Sequence, residues 1–137
     1  MNSPHITAGV HLPQAGPAAS GDSITEVAQC AEKLGFSDVW VSDHLVVPSE
    51  AEYPPSAYIY EPLAVMSWVA AKTTRIRIGT TVLVLPMRNP VVTAKSLASI
   101  DQLSGGRTIL GTAAGWLKEE FSALGIPFNE RGPRTDE

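Results

Sequence analysis

Ile76-Arg77-Ile78-Gly79-Thr80-Thr81-Val82-Leu83-Val84-Leu85-Pro86 leads through Met87 and Arg88 to Asn89-Pro90, and from there to Leu103-Ser104-Gly105-Gly106. The opening run, Ile76 to Leu85, is β-branched and apolar without clean alternation, the pattern of a strand covered on both faces. Pro86 ends it, since proline has no N–H to donate to a ladder. Asn89 before Pro90 is a helix start: a short polar side chain caps, and proline fits the first turn. Val92, Ser96, Ile100 and Leu103 then share one helical face up to a glycine stop. The stretch is one complete β/α unit.

The same unit recurs on either side. Upstream, Asp38 to Ser42 is a strand with Val39, Trp40 and Val41 as its apolar centre. Tyr60 to Thr73 is the helix that follows it, with Pro62 in the first turn. That helix is apolar almost all round, so it is expected to be buried on two sides, against its own sheet and against another subunit. Between them, Asp43 to Tyr58 carries Pro48, Pro54 and Pro55 and reads as a long loop forming a lid or wall. Further upstream, Ile6 to His11 is a strand. A helix begins after it near Asp22 or Ser23, with Ile24, Val27, Ala28, Ala31 and Leu34 as its buried stripe and Gly35 as its stop. Downstream, Arg107 to Ala113 is a strand and Leu117 to Leu124 a short helix. Gly125 to Glu137 is polar and punctuated by glycine and proline.

Strand and helix alternating in this way imply a parallel sheet, because parallel neighbours need crossover connections. Two architectures fit: a doubly wound open sheet, or the N-terminal half of a (β/α)8 barrel, which needs about 250 residues in full. With 137 residues, the chain reads as a single partial barrel domain spanning 1–137. Four parallel strands alone would present edges and an apolar inner face without an opposite wall. The expected consequence is assembly with other chains or marginal stability.

Composition narrows the function. Ten basic against fourteen acidic side chains give a formal charge of −4, which argues against an electrostatic grip on nucleic acid. No apolar run approaches the roughly 20 residues that span a bilayer, and no leader pattern precedes Ala8. The single Cys30 cannot form an internal disulfide, which points to a reducing, cytoplasmic setting.

In parallel α/β folds the site lies at the carboxyl ends of the strands. Those ends carry His11-Leu12-Pro13-Gln14, Ser42-Asp43-His44, Thr80 to Pro86, and Gly111-Thr112-Ala113-Ala114-Gly115-Trp116 with Glu119 and Glu120 beyond. Asp43-His44 places a carboxylate beside an imidazole that exchanges protons near neutral pH; the plainer alternative is a turn cap and a loop histidine. The glycines at 111 and 115 do not match a dinucleotide fingerprint, and small residues there would let a flat ligand approach the backbone or simply pack a barrel rim. His5, His11 and His44 sit on separate elements, so a metal-dependent hydrolase is a weaker alternative, and no metal ligand is assigned. Trp116 is a candidate pocket wall, whereas Trp40 and Trp68 read as core or interface.

Five ordered blocks carry a resemblance: Gly35 to His44, Arg75 to Thr80, Asn89-Pro90, Asp101 to Arg107, and Gly115 to Phe121. Together they resemble the bacterial luciferase-like monooxygenases, and within them the deazaflavin-dependent oxidoreductase branch. The resemblance implies a (β/α)8 barrel, usually dimeric, that binds coenzyme F420 (a deazaflavin) or FMN at the carboxyl face of the strands and acts on a small molecule. Coenzyme F420 is favoured over FMN, with hydride transfer or oxygen activation by reduced flavin as the chemistry. It also implies that His44 is the acid/base or substrate-orienting residue and that Asp43 touches the flavin ring. A non-prolyl cis peptide at Thr81-Val82 would support the ring from behind, with Val84 beside it. Gly115, Trp116 and Glu119 would contact cofactor or substrate. The second helix would form a homodimer. Some dehydrogenases of this branch have a carboxylate where this chain has Trp116, so their sugar-phosphate chemistry is not carried over. Relatives also continue for about another full length, so the chain reads as a truncated copy. A fragment without activity, serving as a dimerising module, is the remaining alternative.

Overall fold

A computed structural model describes residues 6–137 apart from 52, 55 and 57. His5 and Pro55 therefore lie outside the described residues. The order is β1 (Gly9–His11), α1 (Gly21–Leu34), β2 (Asp38–Val41), α2 (Pro62–Lys72), β3 (Arg77–Thr80), β4 (Leu83–Val84), α3 (Pro90–Ser104), β5 (Thr108–Ile109), β6 (Thr112–Ala113), α4 (Lys118–Ala123) and α5 (Arg131–Asp136). Single 3-10 turns occupy Leu85–Met87 and Phe128–Glu130. One parallel sheet runs β1-β2-β3-β5, and β4 pairs with β6 in a separate parallel ladder.

The expected third and fourth strands are each cut in two, at the same level. Between β3 and β4 the Thr81-Val82 peptide is cis. Opposite it, Thr80 Oγ1 donates to Gly111 O (2.8 Å) and accepts from Gly111 N–H (3.1 Å), so a side chain replaces the ladder rung there. A Cβ on Gly111 would collide with the Thr80 carbonyl, so the approach requires glycine. Beyond this break β4 and β6 turn toward the carboxyl mouth.

The helices cover one face of the sheet. Val39, Val41 and Ile78 pack there with Ile24, Ala28, Val65, Met66, Val69 and Ile100, all buried. By strand alternation the opposite face carries Gly9, His11, Asp38, Trp40, Arg77 and Gly79. It is not the apolar face expected from the sequence. Arg77 Nε donates to Asp38 Oδ1 at 2.6 Å, and the Trp40 indole lies across both flanking strands. A Cβ at Gly9 or at Gly79 would strike that indole, so both glycines make room for one ring.

Two helical stripes differ from expectation. α1 starts earlier, capped by Ser20 and Ser23, each hydroxyl accepting the other's backbone N–H at 3.0 Å. Leu34 is exposed, because at 100° per residue it lies about 80° off the line of Ile24, Ala28 and Ala31. In α3 the buried residues are Thr93, Ile100 and Ser104, with Leu97 half-buried, while Val92 and Leu103 (87% exposed) face outward. Thr93 Oγ1 donates to Asn89 O and Ser104 Oγ to Asp101 O, so both hydroxyls are satisfied within the helix and bury without loss. α2 presents Val65, Met66 and Val69 to the sheet but leaves Trp68 nearly half exposed, with its Nε1 donating to Thr25 Oγ1.

Glu32 holds the turn before β3. Its Oε1 accepts from the N–H groups of Thr74, Arg75 and Ile76 at 2.6–3.0 Å. Partial burial works against the charge, but those three donors outweigh it and hold the carboxyl down at about 2. The polar, glycine- and proline-punctuated tail includes a short helix, with Arg134 paired to Glu130. Among the described residues no helix is long and apolar enough to cross a membrane.

Candidate active site

The strand tips converge. His11 from β1, Ser42-Asp43-His44 after β2, Thr81 and Val82 between β3 and β4, Val84 from β4, and Ala113 to Trp116 from β6 onward line one cavity of ≈ 540 Å3. Gln14 stitches the tips together from within. Its Nε2 donates to Ser42 O and Tyr60 O, and its Oε1 accepts from Ser42 N–H, so one buried amide joins β1, β2 and the entry to α2. His11 reaches Ser42 Oγ through Nε2 at 2.8 Å, and that hydroxyl donates to the Thr81 carbonyl at 3.2 Å.

Asp43 is fully buried, and both its oxygens are engaged. Oδ2 accepts from Val84 N–H (2.9 Å) and Arg88 Nε (3.1 Å), and Oδ1 accepts from Arg88 Nη2 (2.7 Å). The third nitrogen of Arg88, Nη1, lies 2.8 Å from Glu61 Oε1, while Glu61 Oε2 caps α2 at Ala64 N–H. Burial works against the guanidinium charge, but Asp43 and then Glu61 outweigh it, holding Arg88 above its ordinary value. The Asp43–Arg88–Glu61 chain thus locks the β2 tip, the β4 backbone and the start of α2. Arg88 and Glu61 carried no sequence signal as site residues, because nothing in their spacing ties them to Asp43.

His44 meets a carboxylate from the far end of the chain. Its Nδ1 donates to Glu120 Oε2 at 3.0 Å, and Glu120 Oε1 accepts from Leu45 N–H (2.7 Å) and Val46 N–H (3.2 Å). Glu120 points inward because Leu117 and Phe121 anchor α4, Phe121 packing with Val84, Met87 and Phe128. The expected Glu119 is one residue, or about 100°, around the same helix; it is exposed and does not line the cavity. Of these two neighbouring glutamates, Glu120 is the one that lines the cavity.

Gly115 has φ +80°, and a Cβ there would press on Val84 and Phe121, so the β6 tip can turn this tightly only with glycine. Trp116 follows at the rim, edge-on to His44 with centroids 6.1 Å apart and beside Tyr53 at 6.0 Å. Among the described residues, no group of three or more His, Cys, Asp or Glu is placed to hold a metal ion.

The profile of one family, luciferase-like monooxygenase, matches residues 1–137. The chain belongs to the luciferase-like monooxygenase family. Two relatives are F420-dependent glucose-6-phosphate dehydrogenases. That from Kineococcus radiotolerans is 38% identical over 113 residues, covering 81% of this chain and 32% of the relative. That from Amycolatopsis mediterranei is 40% identical over 119 residues, covering 83% and 34%. The monooxygenase RslO1 from Streptomyces bottropensis superposes with a TM-score of 0.79 at 30% identity, over 96% of this chain and 40% of that one. The chain thus spans about a third of the length of the two dehydrogenases. Membership of the luciferase-like family places the four-stranded parallel sheet as part of a (β/α)8 barrel, so the half-barrel reading holds over the open sheet.

Proposed function

We propose that this chain forms the coenzyme-facing part of a deazaflavin-dependent oxidoreductase. The observation that carries the reading is the Glu120-held imidazole of His44 on the wall of a cavity floored by small residues. The cavity fits a flat polycycle: Thr81, Val82, Ala113, Ala114 and Gly115 keep bulky side chains out of its floor. Residues suited to hold the ring are Ser42, Thr81, Val82 and Gly115. Asp43 supports them by fixing Val84 N–H rather than by presenting a free oxygen. When bound, such a coenzyme supplies hydride transfer to or from a substrate carbon. His44 manages the accompanying proton: its Nδ1–H is committed to Glu120, which leaves Nε2 as the ring nitrogen free to take or return a proton.

Coenzyme F420 is favoured over FMN because the F420-dependent relatives share 38% and 40% identity with this chain. The likeness to a monooxygenase at 30% identity supports a second reading, in which reduced FMN activates oxygen in the same cavity. Titrating the chain with each coenzyme and following its fluorescence tests both. Emission should change with coenzyme F420 at lower concentration than with FMN; no change with either would overturn the reading.

Two further parts of the proposal concern assembly and place. The outward face of α2, with Trp68 and Ala64 exposed, is the surface for a homodimer. Sedimentation should show a dimer that Trp68→Glu converts to monomer, and an unchanged mass would remove this part. The setting proposed is cytoplasmic, from the lone, exposed Cys30.

A further inference from the structure

We propose that Trp116, with Tyr53 beside it, binds an uncharged aromatic ring of the substrate. The proposal rests on the redox reading only in calling that ligand the substrate. Three rings follow one another along the cavity wall: His44, Trp116 edge-on to it, and Tyr53 tilted 33° to Trp116. Trp116 is 55% exposed and Tyr53 66%, although both line the cavity. Large apolar surface left open at a concave site marks a place where a ligand removes it from water. Flat rings meet such side chains in offset or edge-to-face contact, which adds to the gain from burial.

The charges on the walls this chain supplies disfavour the other obvious class. Among the described residues, no Lys or Arg lines the cavity, whereas Asp43 and Glu120 do. Arg88 lies behind the wall with all three nitrogens turned to Asp43 and Glu61. A phosphorylated substrate set between Trp116 and His44 would therefore meet the Glu120 carboxylate with no cation beside it among the described residues, and charge buried without a partner is disfavoured. An uncharged ring meets no such penalty. The contact between His44 and Trp116 also sets that ring next to the proton-handling imidazole, where a carbonyl or hydroxyl on it would react.

Equilibrium dialysis of the full chain against 2-acetonaphthone, cyclohexyl methyl ketone and glucose 6-phosphate tests this. The naphthyl ketone should bind at least about tenfold more tightly than either other probe. Trp116→Ala should weaken it about tenfold, and Trp116→Phe should restore it to within about threefold, since an aromatic face returns. Failure of the naphthyl ketone to bind, glucose 6-phosphate binding as tightly, or indifference to Trp116→Ala would each overturn the proposal. Displacement of the ketone by coenzyme F420 would do so too, since the ring would then occupy the coenzyme's place. If the chain ignores both coenzymes in the fluorescence titration but keeps the Trp116-dependent ketone site, the redox reading fails and the aromatic site stands.

Discussion

Arg88→Met is expected to lower the unfolding free energy by about 3 to 5 kcal/mol, the range found when one partner of a buried ion pair is removed. The size follows from Asp43, whose side chain has no solvent exposure and whose two oxygens lose two of their three contacts at once: Nε and Nη2 depart and only Val84 N–H remains. Methionine fills much the same volume, so the loss reports on charge rather than on a cavity. Glu61 loses its cation as well, but it is partly exposed, and water screens that term. Arg88→Lys should recover only part of the stability, because one ammonium cannot reproduce the fork that grips both Asp43 oxygens. Urea unfolding followed by circular dichroism measures all three chains. A methionine variant within about 1 kcal/mol of the parent would show that the pair contributes little.

Glu120→Gln should change which nitrogen of His44 carries the proton. Leu45 and Val46 donate two N–H bonds to Oε1, so that position must remain an oxygen. The amide nitrogen of glutamine then takes the place of Oε2 and points a donor at Nδ1. Nδ1 must become the acceptor, and the proton moves to Nε2, which no longer accepts one from substrate or coenzyme. Turnover in the coenzyme-loaded enzyme should fall about 10²- to 10⁴-fold, the usual contribution of a positioned acid/base group. Nitrogen-15 chemical shifts of the His44 ring read the tautomer directly and need no activity. Unchanged shifts would dispose of the positioning role, whatever happens to turnover.

Much of the architecture was open to a reader of the sequence. The caps at Asn89 and Gly35, the glycine stop after Ser104 and the four strand tips follow from local chemistry, which short spans of residues contain in full. Helix faces were less legible. Val92 and Leu103 read as core in α3, yet Thr93 and Ser104 are buried instead, because a hydroxyl that bonds back to its own helix loses its polar character. The inner sheet face misled in the same way: strand alternation shows which residues share a side, but not that Asp38 and Arg77 neutralise each other across two strands.

Residue types and positions along the chain drew attention to His44, Asp43 and the Gly115-Trp116 turn, since each stands at a strand end, and the family resemblance pointed to the Thr81-Val82 peptide; the fold brings them to one cavity. Their partners were not legible. Glu120 lies 76 residues from His44 and Arg88 45 from Asp43, and choosing Glu120 over Glu119 depends on which way α4 is rolled by the packing of Phe121. The chain order of residues therefore determined the β/α repeat and the chemistry available at its mouth. Only the folded arrangement decided which carboxylate holds the imidazole, which cation neutralises the buried aspartate and which ring stays open to solvent, because those depend on distances between segments that the backbone brings together from far apart.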